Sequence, residues 1–493
     1  MPSTNDPGRS ALVAVLIAAA VVSAGCSAPA EAPSMPERMP ADFPGLGDCR
    51  EMFAEADARI DAAGVRHAAY YRVPGFPYLR TDRVLASFRN EVDGIDDVGT
   101  WVRRMRELDY EARLYELRNL DIPDQDRANL HTDLYRCGRG LAFVDLENDA
   151  NLDYLREVAV PPPEHSGPAR RYGVTSLARP LLGAYVRHRQ AEVRETFAQP
   201  LAPDGAKLRY WQAADTRQRA LAPDDFDEVL ADPLGFPGMI GSAWQALAEM
   251  HAPAIWVDTA SVAGAPGAPT WRDGVPVVDS TDPTVYYQAG FTRMGEQRLV
   301  QISYVLFFGS ADADGASAMD SLVWRVTLDR DAAPLLYDSI PASGWPHTVF
   351  PLQGLEPRAV TASGDPVLAP QSSVPERRPV LRVGGSPAAL QRVASREQAN
   401  PDRVGRYRLE NYDALYTLPV AGGGTRSLFS PAGTIAGSGG GFAPWARLAG
   451  IPEPGALRQL GRLPTGFVGD GQFDDPYLLE RLFRLPEAVA SAR

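Results

Sequence analysis

A chain of 493 residues with 45% apolar content is too long for one small core and too apolar for intrinsic disorder, so it reads as two or three globular domains. Its formal charge of −13, unbroken by any basic run, argues against a nucleic-acid partner and makes a polyanionic lipid surface repel the body. Six histidines, none paired with another at three to five residues, leave little material for a metal centre.

Residues 1–25 have the pattern of an export signal. Arg9 precedes an apolar run from Ala11 to Val22, and Ser23-Ala24-Gly25 places only small residues ahead of Cys26. A helix over that run would span ~18 Å at ~1.5 Å per residue, short of the ~30 Å hydrocarbon core, so a permanent span is not expected. The segment resembles a bacterial lipoprotein signal, in which Cys26 is acylated and becomes the new N-terminus, leaving the membrane reached through lipid alone. An ordinary secretory signal is the competing reading, since Asp6 cancels Arg9 and Ser23 stands where lipoproteins usually carry Leu. Ser27, in the place where Asp would retain a lipoprotein in the inner membrane, points to the outer membrane with the body facing the periplasm.

Residues 26–47 read as a tether, with Pro29, Pro33, Pro36, Pro40 and Pro44 at near-regular intervals. At the ~3.1 Å rise of polyproline II it reaches ~65 Å.

Residues 48–252 are expected to be helix-rich. Cys49, Met52, Phe53, Ala56 and Ile60 follow helical spacing, with Asp48 as N-cap and Glu51 as its capping-box partner. Trp101, Met105, Leu108, Ala112 and Tyr115 form a second stripe, Leu130, Leu134, Cys137 and Leu141 a third, and Leu177, Leu181, Leu182, Tyr185 and Val186 a fourth. In the oxidising compartment that export implies, Cys49 and Cys137 either bridge, closing 88 residues for roughly 4–5 kcal/mol on the chain-entropy model, or stay apart as small buried hydrophobes.

Residues 253–493 change to β-branched and aromatic runs. Val285 to Gln288 and Arg298 to Phe307 flank Met294-Gly295-Glu296-Gln297 as one hairpin, and Leu322 to Leu328 with Leu335 to Asp338 flank Asp329-Arg330-Asp331-Ala332 as another. Pro379 to Val383 offers a further strand, Gly422 to Gly441 a glycine-rich loop, and Asp475 to Ala488 a closing helix. The expected fold class is α+β, a helix-rich N-terminal half followed by a largely antiparallel, β-rich C-terminal half.

The chemistry-bearing residues are sparse. His347, in Gly344-Trp345-Pro346-His347 just past a strand end, is the one histidine in a position where loops carry function, and Asp338 is its nearest acidic candidate. Ser438 in Ala436-Gly437-Ser438-Gly439-Gly440 lacks the first glycine of a nucleophile elbow. Ser310 to Gly315 imitates half of a calcium loop, but Ser321 stands where its bidentate Glu should be. The carboxylate pairs Asp312/Asp314 and Asp474/Asp475 and the glycines Gly422 to Gly424 carry no specific motif, so neither a metal nor a cofactor is expected.

Several segments resemble a family of uncharacterised proteobacterial envelope proteins over nearly the whole mature chain. They are Gly64-Val65-Arg66 with Gly75 to Arg80, the hairpins from Pro283 to Phe308, Trp324 to Asp329 with Leu335 to Ile340, Pro454 to Gln459, Gly466 to Gly469 and Phe473 to Pro476. In that family the loop after Tyr337 to Ile340 carries cysteines and a second histidine, with further histidines downstream. Here Ser343, Trp345, Pro387, Leu463 and Gln472 hold those places and only His347 remains. The resemblance therefore implies a non-catalytic relative. Two functions stay in view: a lipid-anchored envelope protein with a binding or structural role toward a protein or ligand, and an envelope hydrolase of peptide, glycan or lipid using His347 with Asp338.

Overall fold

The computed structural model describes residues 46–163, 187–202, 206–214, 231–238, 241–259, 262–310, 319–352, 354–358, 366–385, 388–438, 453, 455–466 and 471–484. Cys26, the tether and the stripe from Leu177 to Val186 lie outside the described residues, as do Asp312 and Asp314 of the calcium-like loop. Among the described residues no helix is long and apolar enough to cross a membrane.

The N-terminal half is built from α1 (Leu46–Ala63), a small hairpin of β1 (Tyr71–Arg72) and β2 (Arg80–Thr81), and α2 (Arg83–Ala86), followed by α3 (Ile95–Arg118), α4 (Asp124–Asp145) and α5 (Asp149–Val158). The apolar stripes read from the sequence bury as expected: Phe53, Ala56 and Ile60 of α1, Trp101 and Met105 of α3, and Leu134 and Leu141 of α4 meet in one core. Helix α1 starts at Leu46, so Asp48 sits inside its first turn instead of capping it. There its charge still faces the positive end of the helix dipole. Cys49 and Cys137 are joined in a disulfide that ties α1 to α4, with their Cα atoms 5.3 Å apart.

Strand β3 (Leu208–Ala213), helix α6 (Gly241–His251) and strands β4 (Ala254–Asp258), β5 (Val262–Ala263) and β6 (Gly267–Arg272) lead into the long hairpin of β7 (Val275–Met294) and β8 (Gln297–Ser310). Next come β9 (Met319–Leu328), β10 (Pro334–Pro341), β11 (Thr348–Pro351), β12 (Glu356–Pro357), β13 (Val367–Leu368), β14 (Val380–Gly384) and β15 (Ala389–Ala394), then the short α7 (Arg396–Ala399) and β16 (Val404–Asn411). A 3₁₀ helix (Tyr412–Thr417), the small strands β17 (Leu418–Pro419) and β18 (Thr425–Arg426), α8 (Leu478–Leu482) and β19 (Phe483–Arg484) follow.

Both expected hairpins form, around Gly295-Glu296 and around Asp329 to Ala333. In the second, the Asp329 carboxylate accepts from the backbone N–H groups of Asp331 and Ala333, the usual way an aspartate fixes a turn. The expectation of a largely antiparallel sheet is corrected. The sheet is mixed, in the order β13-β11-β10-β9-β8-β7-β16-β3-β4-β14-β15, and the pairs β11/β13, β7/β16, β16/β3 and β4/β14 are parallel. Hairpin pairing is local and can be read from turn residues, whereas β16 inserts between two strands laid down much earlier in the chain, a crossover that no turn announces. Strand β3, from the stretch expected to be helix-rich, is one of those two neighbours.

Period-two alternation divides the sheet into two cores. On β8, Val300, Ile302, Tyr304, Leu306 and Phe308 face a core shared with Leu247 and Ala248 of α6. Val305 and Phe307 face the opposite core, shared with Tyr115 of α3, Tyr412 and Tyr416 of the 3₁₀ helix, and the C-terminal loops around Leu460 and Phe473. With both faces covered, the central strands read as nearly continuous apolar runs.

Candidate functional site

Asp338 of β10 and His347, just before β11, are brought together by the antiparallel pairing of those strands, with His347 Nε2 2.8 Å from Asp338 Oδ2. Arg325 on β9, directly opposite Asp338 in the ladder, closes its guanidinium fork on the same carboxylate, Nε standing 2.9 Å from Oδ1. Its remaining Nη1 donates to the Phe473 carbonyl at 2.7 Å. The Phe473 ring lies 3.6 Å beneath the guanidinium and edge-on to the imidazole. Asp338 and His347 both have 0% relative exposure. Burial pushes the Asp338 carboxyl up, but the Arg325 charge and the His347 hydrogen bond prevail and hold it below the usual range. Burial also lowers His347 despite the neighbouring carboxylate, so the neutral ring donates Nε2–H to Asp338 and leaves Nδ1 without a partner. This is a sealed arginine–aspartate–histidine clamp across three strands.

The other sequence candidates are engaged structurally. Ser438 donates its hydroxyl to the Ile435 carbonyl at 2.6 Å and accepts the Leu457 N–H at 2.9 Å, which fixes it as a loop staple. Asp474 pairs with Arg83 and Asp475 with Arg481. Among the described residues no group of three or more His, Cys, Asp or Glu is placed to hold a metal ion.

Sequence reasoning missed a buried ion network in the helical half. Arg80 of β2 grips both oxygens of Glu116, at 3.0 and 2.7 Å, and reaches Asp109 with Nε at 3.0 Å. Arg113 binds Asp109, Asp57 of α1 and the Pro77 carbonyl, all within 3.0 Å. The Glu116 carboxylate also accepts the His67 backbone N–H at 2.8 Å. The signal was present: Asp109, Arg113 and Glu116 recur at helical spacing beside the α3 apolar stripe.

A second carboxylate site lies where the halves meet. Glu111 of α3 and Asp413 of the 3₁₀ helix share the Tyr115 hydroxyl, and Glu111 also meets Tyr70. Burial and the Asp413 charge push Glu111 up to about 7, and burial raises Asp413 as well. A carboxyl with a raised folded pKa keeps a proton that the unfolded chain has lost, so its cost sets in above the ordinary carboxylate range and is complete above pH 7. Glu111→Gln is therefore expected to gain about 2–3 kcal/mol over the parent at pH 8 and almost nothing at pH 4. Urea unfolding at both pH values checks this, and identical pH profiles would refute the raised Glu111 carboxyl.

A cleft of about 1070 Å³ lies at one end of the sheet. It is framed by the end of β3, the α6–β4 junction, the β9–β10 turn, the segment before β14 and the start of α7. Neither Asp338 nor His347 lines it. A pocket of that size with mixed polar and apolar walls suits a small molecule or a segment of polymer.

No protein-family model, curated protein or solved structure matches the chain.

Proposed function

We propose that this is a lipid-anchored protein of the bacterial envelope, held through Cys26 in the outer membrane with its body facing the periplasm, and that the body binds its ligand without transforming it. The anchor rests on the apolar leader, the small residues before Cys26 and the proline-spaced tether. The binding role rests on one observation: Asp338 and His347, the best pair the sequence offers for general acid–base work, are spent on a buried clamp with Arg325. A general base must come within hydrogen-bond reach of the proton it takes, and a ring with no exposed surface does not. The wide cleft at the other end of the ladder is left as the place of contact.

Radiolabelled palmitate is expected to enter the full chain and to be absent from Cys26→Ser, with the labelled protein fractionating with outer membranes. A mature N-terminus elsewhere than Cys26 would remove the anchor. Turnover of a peptide, glycan or lipid that His347→Ala abolishes would replace binding with hydrolysis.

A further inference from the structure

The cleft walls carry four arginines, Arg330, Arg377, Arg378 and Arg396, against three acidic residues, Glu249, Asp331 and Glu397, on a chain whose formal charge is −13. Two of the acids already have local partners. Glu249 accepts from Gln245 Nε2 at 3.1 Å, and Glu397 folds back on its own backbone N–H and on Ser395 at the start of α7. Arg330 and Asp331 are neighbours in one turn, and Arg396 is 3.4 Å from Gln212 Oε1. Arg377 and Arg378 differ: both are exposed, and neither has an ion-pair or hydrogen-bond partner among the described residues. Two adjacent guanidiniums repel each other, and an anion that accepts from both forks relieves that repulsion.

Backbone and floor add to this. Arg378 has φ +48° and Ala332, across the cleft, φ +57°, both in the left-handed region that residues with a Cβ enter only when their surroundings impose it. On the floor His251 is hydrogen-bonded to the Ala332 backbone, while its Nε2 is buried without a partner. A buried imidazole nitrogen facing no protein group has unused hydrogen-bonding capacity.

Building on the binding role above, we infer that this cleft takes a small anionic ligand bearing carboxylate or phosphate groups, with Arg377 and Arg378 gripping the charge and the neutral His251, whose other ring nitrogen donates to the Ala332 carbonyl, accepting through Nε2 from a hydroxyl of the ligand.

The test is isothermal titration of the full-length, detergent-solubilised protein with inorganic tripolyphosphate and with citrate, the two probes separating phosphate from carboxylate preference. At least one is expected to bind, and Arg377→Ser/Arg378→Ser to weaken it about tenfold or more, as loss of a charged fork does. Arg377→Lys/Arg378→Lys should retain part of the affinity, and circular dichroism establishes that each variant is folded. Absence of binding by either anion at millimolar concentration, or equal affinity in the serine variant, overturns the inference. Chitotriose and spermidine serve as neutral and cationic controls, read by hydrogen exchange over residues 376–378 and 395–397. Protection by either of them with none by the anions overturns the anionic ligand while leaving a binding cleft. Turnover of any probe would strike at the binding role itself.

Discussion

Glu116→Ala lowers the unfolding free energy by about 3–5 kcal/mol, the range expected when one partner of a buried ion network is removed. Glu116 has 0% relative exposure and is the group on which Arg80 spends two of its three nitrogens. Without it Arg80, equally buried, keeps only its contact with Asp109, Arg72 loses a partner, and the His67 N–H is orphaned in the core. Glu116→Gln keeps the shape and one acceptor, and should cost less than alanine. The pH dependence is distinctive. Burial alone would raise Glu116, but the Arg80 charge and hydrogen bonds bring it down to about 2. A lowered folded pKa contributes stability that is fully present above the unfolded carboxylate value and is lost as pH falls toward 2. The alanine variant should therefore lose the steep part of the parent's acid unfolding. Equilibrium urea titrations at pH 7 and pH 3 read both effects, and a cost below 1 kcal/mol at pH 7 would contradict the network. Five residues earlier on the same helix, Glu111 has the opposite dependence because burial, reinforced by the Asp413 charge, raises its carboxyl with no arginine to offset it.

Removing the disulfide has a comparable effect through the unfolded chain. Cys49→Ala/Cys137→Ala frees a loop of 88 residues, and the chain-entropy relation gives roughly 4–5 kcal/mol for its closure. The folded state should change little, since α1 and α4 also meet through Phe53, Leu134 and Leu141 in one apolar core. The double variant is therefore expected to keep its far-ultraviolet dichroism while its urea midpoint falls. A reducing agent should shift the parent to the same midpoint and leave the variant unmoved. Two free thiols titrated in non-reduced protein, or an unchanged midpoint in the variant, would contradict the bridge.

What the sequence disclosed and what it withheld follow from the range of the interactions. The stripes over Phe53 to Ile60, Trp101 to Tyr115 and Leu130 to Leu141, and both hairpins, are encoded within a few residues and were legible. The parallel placement of β16 between β7 and β3 depends on pairs such as Arg408 with Thr284 and Val404 with Tyr210, more than a hundred positions apart, and leaves no local mark. The pairing of His347 with Asp338 was within reach because nine residues and a strand reversal separate them. Their burial was not, because it depends on Arg325 from the next strand and on Phe473 from the far end of the chain. The cleft was invisible for the same reason: Arg330 and Arg377 on separate loops and Arg396 at the start of α7 are gathered only by the folded sheet.

The binding role depends most directly on whether His347 is an interior residue. Diethyl pyrocarbonate treatment of the native protein, mapped by peptide mass spectrometry, decides it. His188, whose side chain is 70% exposed, should be modified at once, and His347 only after the chain is unfolded. Rapid carbethoxylation of His347 in the folded protein would contradict the sealed clamp and return this histidine to the list of groups that can meet a substrate.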